Sequence, residues 1–169
     1  MRTVGEVANY TIEYGWTIEL AQQVVDASRQ SAIMQYTPND AAKRFRDVNA
    51  ANSWHGSDKS PRVYNLRDRT NNELAGLAWF SWRQHDMLES EHNATFAIRL
   101  YDSARGKHLS YPFAASIHSD FQLYQADELA GLWLETGTDN VAAQQLYHKL
   151  GYVAASRDES RILMTKSTH

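Results

Sequence analysis

Two stretches of this sequence gather residue types that can do chemistry. Between residues 103 and 113, SARGKHLSYPF sets Arg105, Lys107 and His108 around a single Gly106, with Pro112 close behind. The apolar run ATFAIRLY precedes it and a helical pattern follows, so the stretch reads as a strand-to-helix turn. The start of a helix offers unpaired N–H groups and about half a positive charge. Just after a strand, such a turn is a ready site for a phosphate. Arg105 and Lys107 would add mobile cations, and Gly106 would let the backbone come close to a ligand. On its own the stretch reads first as a solvated basic turn that caps a strand. Pro112 fits either reading, because proline is tolerated in a helix's first turn.

The second stretch is TDNVAAQQLYHKLGY, in which Asn140, Ala143, Leu146, Tyr147, Gly151 and Tyr152 fall in the frame N-x-x-A-x-x-L-Y-x-x-x-G-F/Y. An amphipathic helix with Asp139 or Asn140 as its cap and Gly151 at its stopping position accounts for Ala143, Leu146 and Gly151. It does not account for an amide and a tyrosine seven apart, two turns along one helix face.

Composition narrows the rest. The 169 residues include no cysteine, which excludes a disulfide framework, thiolate metal sites and a cysteine nucleophile. The seven histidines show no metal-ligand spacing, so no metal is expected. Net charge is -3, so no bulk attraction toward nucleic acid or an acidic membrane is expected, and a cationic substrate would be compatible. The N-terminal residues lack the apolar core of a signal peptide, and no apolar run approaches a membrane span of roughly 20 residues. A soluble, cytoplasmic protein is the expectation.

The elements that must position these residues follow from periodicity. YTIEYGW (10–16) alternates as a strand, and WTIELAQQVVDASRQ reads as a helix with Thr17 as its cap and Ile18, Ala21, Val24 or Val25 and Ser28 on one stripe. YTPND breaks it, and Asn39 or Asp40 could cap a second helix, AAKRFRDVNAANSW. Two β-rich runs around DRTNN signal a hairpin, and ATFAIRLY (94–101) is a further strand. After the basic turn, Leu109, Phe113, Ile117 and Phe121 recur at intervals of four. GLWLET (131–136) is a short apolar strand, the Asn140–Gly151 helix follows, and YVAAS and RILMTK close the chain as strands. Trp79 and Trp82 are three apart and fall on opposite strand faces. Residues 1–169 therefore read as one mixed α/β domain around a single mixed sheet, with antiparallel hairpins early and late and strand-helix-strand crossovers in the middle.

AIRLYDSARGKHLS together with LWLETGTDNVAAQQLYHKLGY resembles the GNAT superfamily, the acyl-CoA-dependent N-acyltransferases. The resemblance covers roughly residues 62 to 166 through element order, and its specific motifs lie between 98 and 152. It implies an acetyltransferase fold with a mostly antiparallel central sheet of about six to seven strands flanked by helices, in which the strand ending at Leu100 and Tyr101 splays from the strand 132–136 and hydrogen-bonds a pantetheine arm. Backbone N–H groups of Arg105, Gly106, Lys107, His108, Leu109 and Ser110 would hold the pyrophosphate, with Asn140, Ala143 and Tyr147 as further cofactor contacts. Tyr147 would be the general acid to a departing thiolate, a role suited to a phenol with a pKa near 10. A strand N–H near Leu100 would face the developing oxyanion. The implied cosubstrate is acetyl-CoA or another acyl-CoA, without a metal. The implied acceptor is a primary amine of a small molecule or peptide, and a homodimer is the implied assembly.

The family's phosphate turn is usually Q/R-x-x-G-x-G/A. Arg105 matches it, but His108 and Ser110 stand at the two small positions and Gly106 at an open one. A partly protonated His108 could add charge there. The alternative these departures favour is a fold-keeping CoA-binding or regulatory module without catalysis. The base for the amine is open: Glu135 lies on the strand beside the cleft, while Glu73, Glu89, Glu91 and His92 lie near strand ends. The resemblance also places part of the acceptor site at MQYTP (34–38), with Tyr36.

Overall fold

Residues 1–59, 61–89 and 91–168 are described by a computed structural model. The chain opens with an antiparallel pair, β1 (Arg2–Val7) and β2 (Tyr10–Tyr14). α1 (Ile18–Ala27) starts at Thr17, whose side chain accepts from the Leu20 N–H as an N-cap. Its buried stripe is Leu20, Ala21, Val24, Val25 and Ala27. Ile18, expected on that stripe, is instead exposed, because it falls at the margin of the arc that Leu20, Ala21, Val24 and Ala27 bury.

α2 (Ser31–Tyr36) is a separate short helix, and a π-turn, Asp40–Arg44, leads to α3 (Val48–His55). The single helix expected over AAKRFRDVNAANSW is thus two pieces. Asp47 caps the second by accepting from the Ala50 N–H, while Asp40 serves a different purpose described below. β3 (Arg62–Asp68) and β4 (Leu74–Trp82) form the predicted hairpin, with Asn72 at φ +59 in its tip. β4 is buried along nearly its whole length, as its unbroken apolar run LAGLAWF requires when helices cover both faces.

β5 (Ala94–Leu100), a short 3₁₀ turn at Asp102–Ala104, α4 (Ser110–Gln125), β6 (Gly131–Gly137), α5 (Val141–Lys149), β7 (Val153–Arg157) and β8 (Arg161–Ser167) complete the fold. The described residues form one sheet of eight strands in the order β1-β2-β3-β4-β5-β6-β8-β7. The strand beyond the expected six or seven is β1. Its sequence RTVGEV buries little, as an edge strand can, so it carries almost no period-two signal.

All pairings are antiparallel except β5 with β6, which joins the two halves of the sheet. On one face α4 and α5 pack over Phe80, Phe96, Leu132, Leu134 and Met164. On the other, α1 and α3 pack over Val63, Leu77 and Trp79. Trp82 falls on the first face against Phe121, opposite Trp79, as their spacing predicts. No helix among the described residues is long and apolar enough to cross a membrane.

Candidate active site

The decisive feature is a pairing that stops. β5 and β6 pair as parallel strands only at Ala94↔Leu132 and Thr95↔Trp133. Both strands continue past those rungs, β5 to Leu100 and β6 to Gly137, held on their outer edges by β4 and β8. The edge of β5 from Phe96 to Leu100 therefore faces a wedge. Unpaired backbone groups along such an edge can take up an extended ligand as an added strand would.

The basic turn lies just beyond the wide end of this wedge. Its backbone is fixed by three inward bonds: Ala104 N–H to Tyr101 O, Arg105 N–H to Asp102 O, and Lys107 N–H to Ala104 O, at 2.9, 3.3 and 3.4 Å. The N–H groups of Gly106, His108, Leu109, Ser110 and Tyr111 have no acceptor among the described residues. Of the N–H groups assigned to a phosphate from sequence, those of Arg105 and Lys107 are thus engaged, and four others are free. α4 begins here with Leu109 at its N-cap and no side-chain cap, so its dipole is directed at the same space.

Two residues give the turn its shape. Gly106 has φ +70 and His108 has φ +57. The left-handed conformation costs an ordinary residue about 1–2 kcal/mol. His108 stands where the family motif has glycine, and it keeps the backbone conformation that glycine would supply.

The charged side chains of the turn are less committed to it. Arg105 pairs with Asp102 at 3.2 Å, both exposed. Lys107 Nζ donates to the Tyr10 hydroxyl at 2.8 Å, which raises the lysine pKa. Tyr101 is a fixed point of the turn: its N–H is given to Ala75 O and its ring is buried in the α1–α3 core.

On the α4–α5 side of the wedge, Asn140 caps α5 by accepting from the Ala143 N–H at 3.2 Å. That cap sets the helix phase. It turns Ala143 toward the core and brings Tyr147 edge-on to Phe96, centroids 6.3 Å apart, one residue past the last β5–β6 rung. Gly151 at φ +91 ends the helix. Tyr147 is 8% exposed, and burial raises its pKa, so the phenol is protonated across the neutral range.

Behind it lies a polar pair that sequence reading did not single out. His118, on α4, bonds Ala114 O through Nδ1 at 2.7 Å and the Tyr152 hydroxyl through Nε2 at 2.9 Å. A carbonyl only accepts, so Nδ1 carries the proton and Nε2 accepts from Tyr152. Burial pushes the His118 pKa down to about 3 and the Tyr152 pKa well up. Both are neutral, and the ring of Tyr152 packs against that of Tyr147 at 5.9 Å.

Across the strand, Glu135 alternates away from buried Leu134 and Thr136 onto the α1–α3 face. Its carboxylate meets His85 Nε2 at 3.3 Å and Arg161 at 3.7 Å. His85 Nδ1 accepts from the Met87 N–H, which leaves Nε2–H to donate to Glu135. Glu135 and Tyr147 thus flank β6 from opposite faces. The other candidate bases do not reach this point. Glu73 is at the β3–β4 hairpin tip bonded by Asn71, and Glu89, Glu91 and His92 precede β5 at the closed end of the wedge. Tyr36 ends α2 and is exposed.

Sequence reading also missed the charged centre of the α1–α3 face. Asp40 is buried and accepts from Arg99 Nε on β5 at 2.6 Å and from Arg44 Nη1 at 2.7 Å. Fifty-nine residues separate Asp40 from Arg99, so no local pattern could have joined them. The described residues contain no cluster of three or more histidine and carboxylate side chains placed to hold a metal.

No family model matches the chain, and no curated protein matches its sequence. Solved structures match its fold. The ribosomal-protein-S5-alanine acetyltransferase of Vibrio fischeri superposes with a TM-score of 0.71 at 12% identity, over 96% of this chain and 95% of that one. The spermidine N-acetyltransferase of Vibrio cholerae, solved with CoA and spermine, gives 0.72 at 16% identity, over 94% and 95%. A GNAT-family acetyltransferase of Streptococcus pneumoniae gives 0.68 at 20% identity, over 95% and 99%. With its wedge between β5 and β6, its amide-lined turn and these neighbours, the chain has the fold of the GNAT superfamily.

Proposed function

We propose that this protein is an acyl-CoA-dependent N-acyltransferase that acetylates a primary amine. One observation carries the reading: the β5 edge left unpaired after Thr95 runs directly into a turn with free N–H groups at Gly106, His108, Leu109 and Ser110. An acyl-CoA has a matching shape, an amide-bearing arm that ends in a pyrophosphate. The neighbour from Vibrio cholerae, solved with CoA and spermine, supports the same class of reaction.

When bound, the acyl-CoA supplies the thioester. The chain's own groups then divide the work by face. The β5 edge near Leu100 orients the arm, the turn and Asn140 hold its far end, and Tyr147 keeps a proton on Oη beside the place where a thiolate would leave. Glu135, held by His85 and Arg161, is the carboxylate on the opposite face able to accept the amine's proton, directly or through water. A fold-keeping module without catalysis would still bind CoA, so binding and turnover are tested separately. Acetyl-CoA should raise the melting temperature, as a ligand of the native state does. An amine panel scored by acetyl-CoA consumption should then show turnover. Binding without turnover of any amine would select the non-catalytic module.

A further inference from the structure

The α1–α3 face of the wedge is far more basic than a chain of net charge -3 suggests. Asp40, whose side chain is 2% exposed, is its buried carboxylate, and two guanidiniums already share it. Arg99 and Arg44 both lie on the Trp79 ring, at 4.9 and 5.1 Å. A third guanidinium, Arg83 just past the end of β4, lies over Trp133 on β6 at 5.5 Å. Arg83 is exposed, and its side chain has no hydrogen bond or ion pair among the described residues. Arg44 is about one-third exposed and uses only Nη1. Glu135 does not offset these charges, because it is taken by His85 and Arg161.

A guanidinium has five N–H donors in a fixed fork, and an indole floor holds it flat with its edge outward. Arg44 on Trp79 and Arg83 on Trp133 are near enough for Arg83 to act on the Arg44 charge, and such guanidiniums with unspent donors can together receive a planar anion. Burial lowers the Arg44 pKa, the Asp40 carboxylate opposes that, and the charges of Arg99 and Arg83 add smaller lowerings.

Resting on the acyl-transfer reading above, we propose that the amine acceptor also carries a carboxylate, which Arg44 and Arg83 bind while its amine is presented at Glu135. The acceptor is then an amino acid or the acidic start of a peptide rather than a polyamine. The overall charge of the chain pointed the other way, but the field at the wedge is set by the few groups that line it.

The test uses a matched pair of five-carbon probes, glutarate and 1,5-diaminopentane, in thermal-shift titrations with and without saturating acetyl-CoA. Glutarate should stabilise the protein and the diamine should not. Arg83→Ala, at an exposed position, should weaken glutarate at least about tenfold and leave the acetyl-CoA shift in place. No glutarate shift, or a larger one with the diamine, overturns the proposal. A glutarate shift that Arg83→Ala does not alter overturns it too. Displacement of glutarate by L-glutamate marks a free amino acid as the source, and displacement by the peptide Ala-Glu-Glu marks a polypeptide. Displacement by neither counts against the proposal. The acetyl-CoA shift alone decides the acyl-transfer reading, so the two can fail separately.

Discussion

The two sides of the β5–β6 wedge are built by different means. On the α4–α5 side the groups facing it are backbone amides of one turn, the N-cap of one helix, and a tyrosine two turns along that helix. On the α1–α3 side they are side chains from a π-turn, one strand and the segment after β4: Asp40, Arg44, Arg83, His85 and Arg99. The first side depends on local geometry, which a short run of sequence can encode. The second depends on residues meeting across dozens of positions. A backbone-lined turn can keep its N–H groups free whatever the side chain, as the turn around His108 does. A side-chain-lined site has no such latitude, because removing one partner strands the others.

That contrast can be broken most forcefully at Asp40. Asp40→Ala leaves Arg99 and Arg44 without their shared carboxylate and should cost about 3–5 kcal/mol of unfolding free energy, read by urea denaturation. A loss near zero would mean that Asp40 is not the centre of that face. Next comes Tyr147→Phe. It removes a hydroxyl with no hydrogen-bond partner among the described residues, so stability and the acetyl-CoA shift should hold. Turnover of a confirmed amine should fall by about 100-fold or more, the usual worth of a placed general acid. Unchanged turnover would remove Tyr147 from the chemistry.

His118 sharpens the comparison through pH. Its folded pKa lies below its unfolded value, so the unfolded chain binds the proton more readily. The stability it supports is complete above about pH 6.5 and drains away as pH falls toward about 3, with a slope of at most about 1.4 kcal/mol per pH unit. Denaturation followed across that window should be steeper for the wild type than for His118→Gln. Equal slopes would mean that the imidazole is not held neutral.

The smallest effects belong to the turn. His108→Gly should relieve a left-handed residue and stabilise by up to about 1 kcal/mol, while Gly106→Ala, with open space around its Cβ, should cost about 1 kcal/mol from conformation alone. Both variants keep the free N–H groups, so both should retain the acetyl-CoA shift. If His108→Gly instead weakened binding, the imidazole itself would be a ligand contact.

Local signals were legible where a short pattern had one structural outcome. Thr17, Asn140 and Gly151 cap as their residue types predict, and Leu109 at the N-cap of α4 and Phe113, Ile117 and Phe121 along it are all buried. Asp40 shows the opposite case. Its residue type fits a helix cap, yet Arg99, delivered by β5, draws it into an ion pair instead. Asp47, a few residues on, takes the capping role. β1 escaped notice because an edge strand needs no apolar alternation, and the helix expected after YTPND broke because its π-turn serves Asp40 rather than helix propagation.

By itself the sequence determined the element order from β3 onward, the hairpin, the basic strand-to-helix turn and the helix carrying Asn140 and Tyr147. Each of these rests on hydrogen bonds and burial periods that span at most a few helical turns. Only the tertiary structure decided that β5 and β6 part after Thr95, that His108 holds a glycine's conformation, and that three arginines converge on Trp79 and Trp133. Those features depend on which strands become neighbours, and strand neighbours are fixed by packing both faces of one sheet at once.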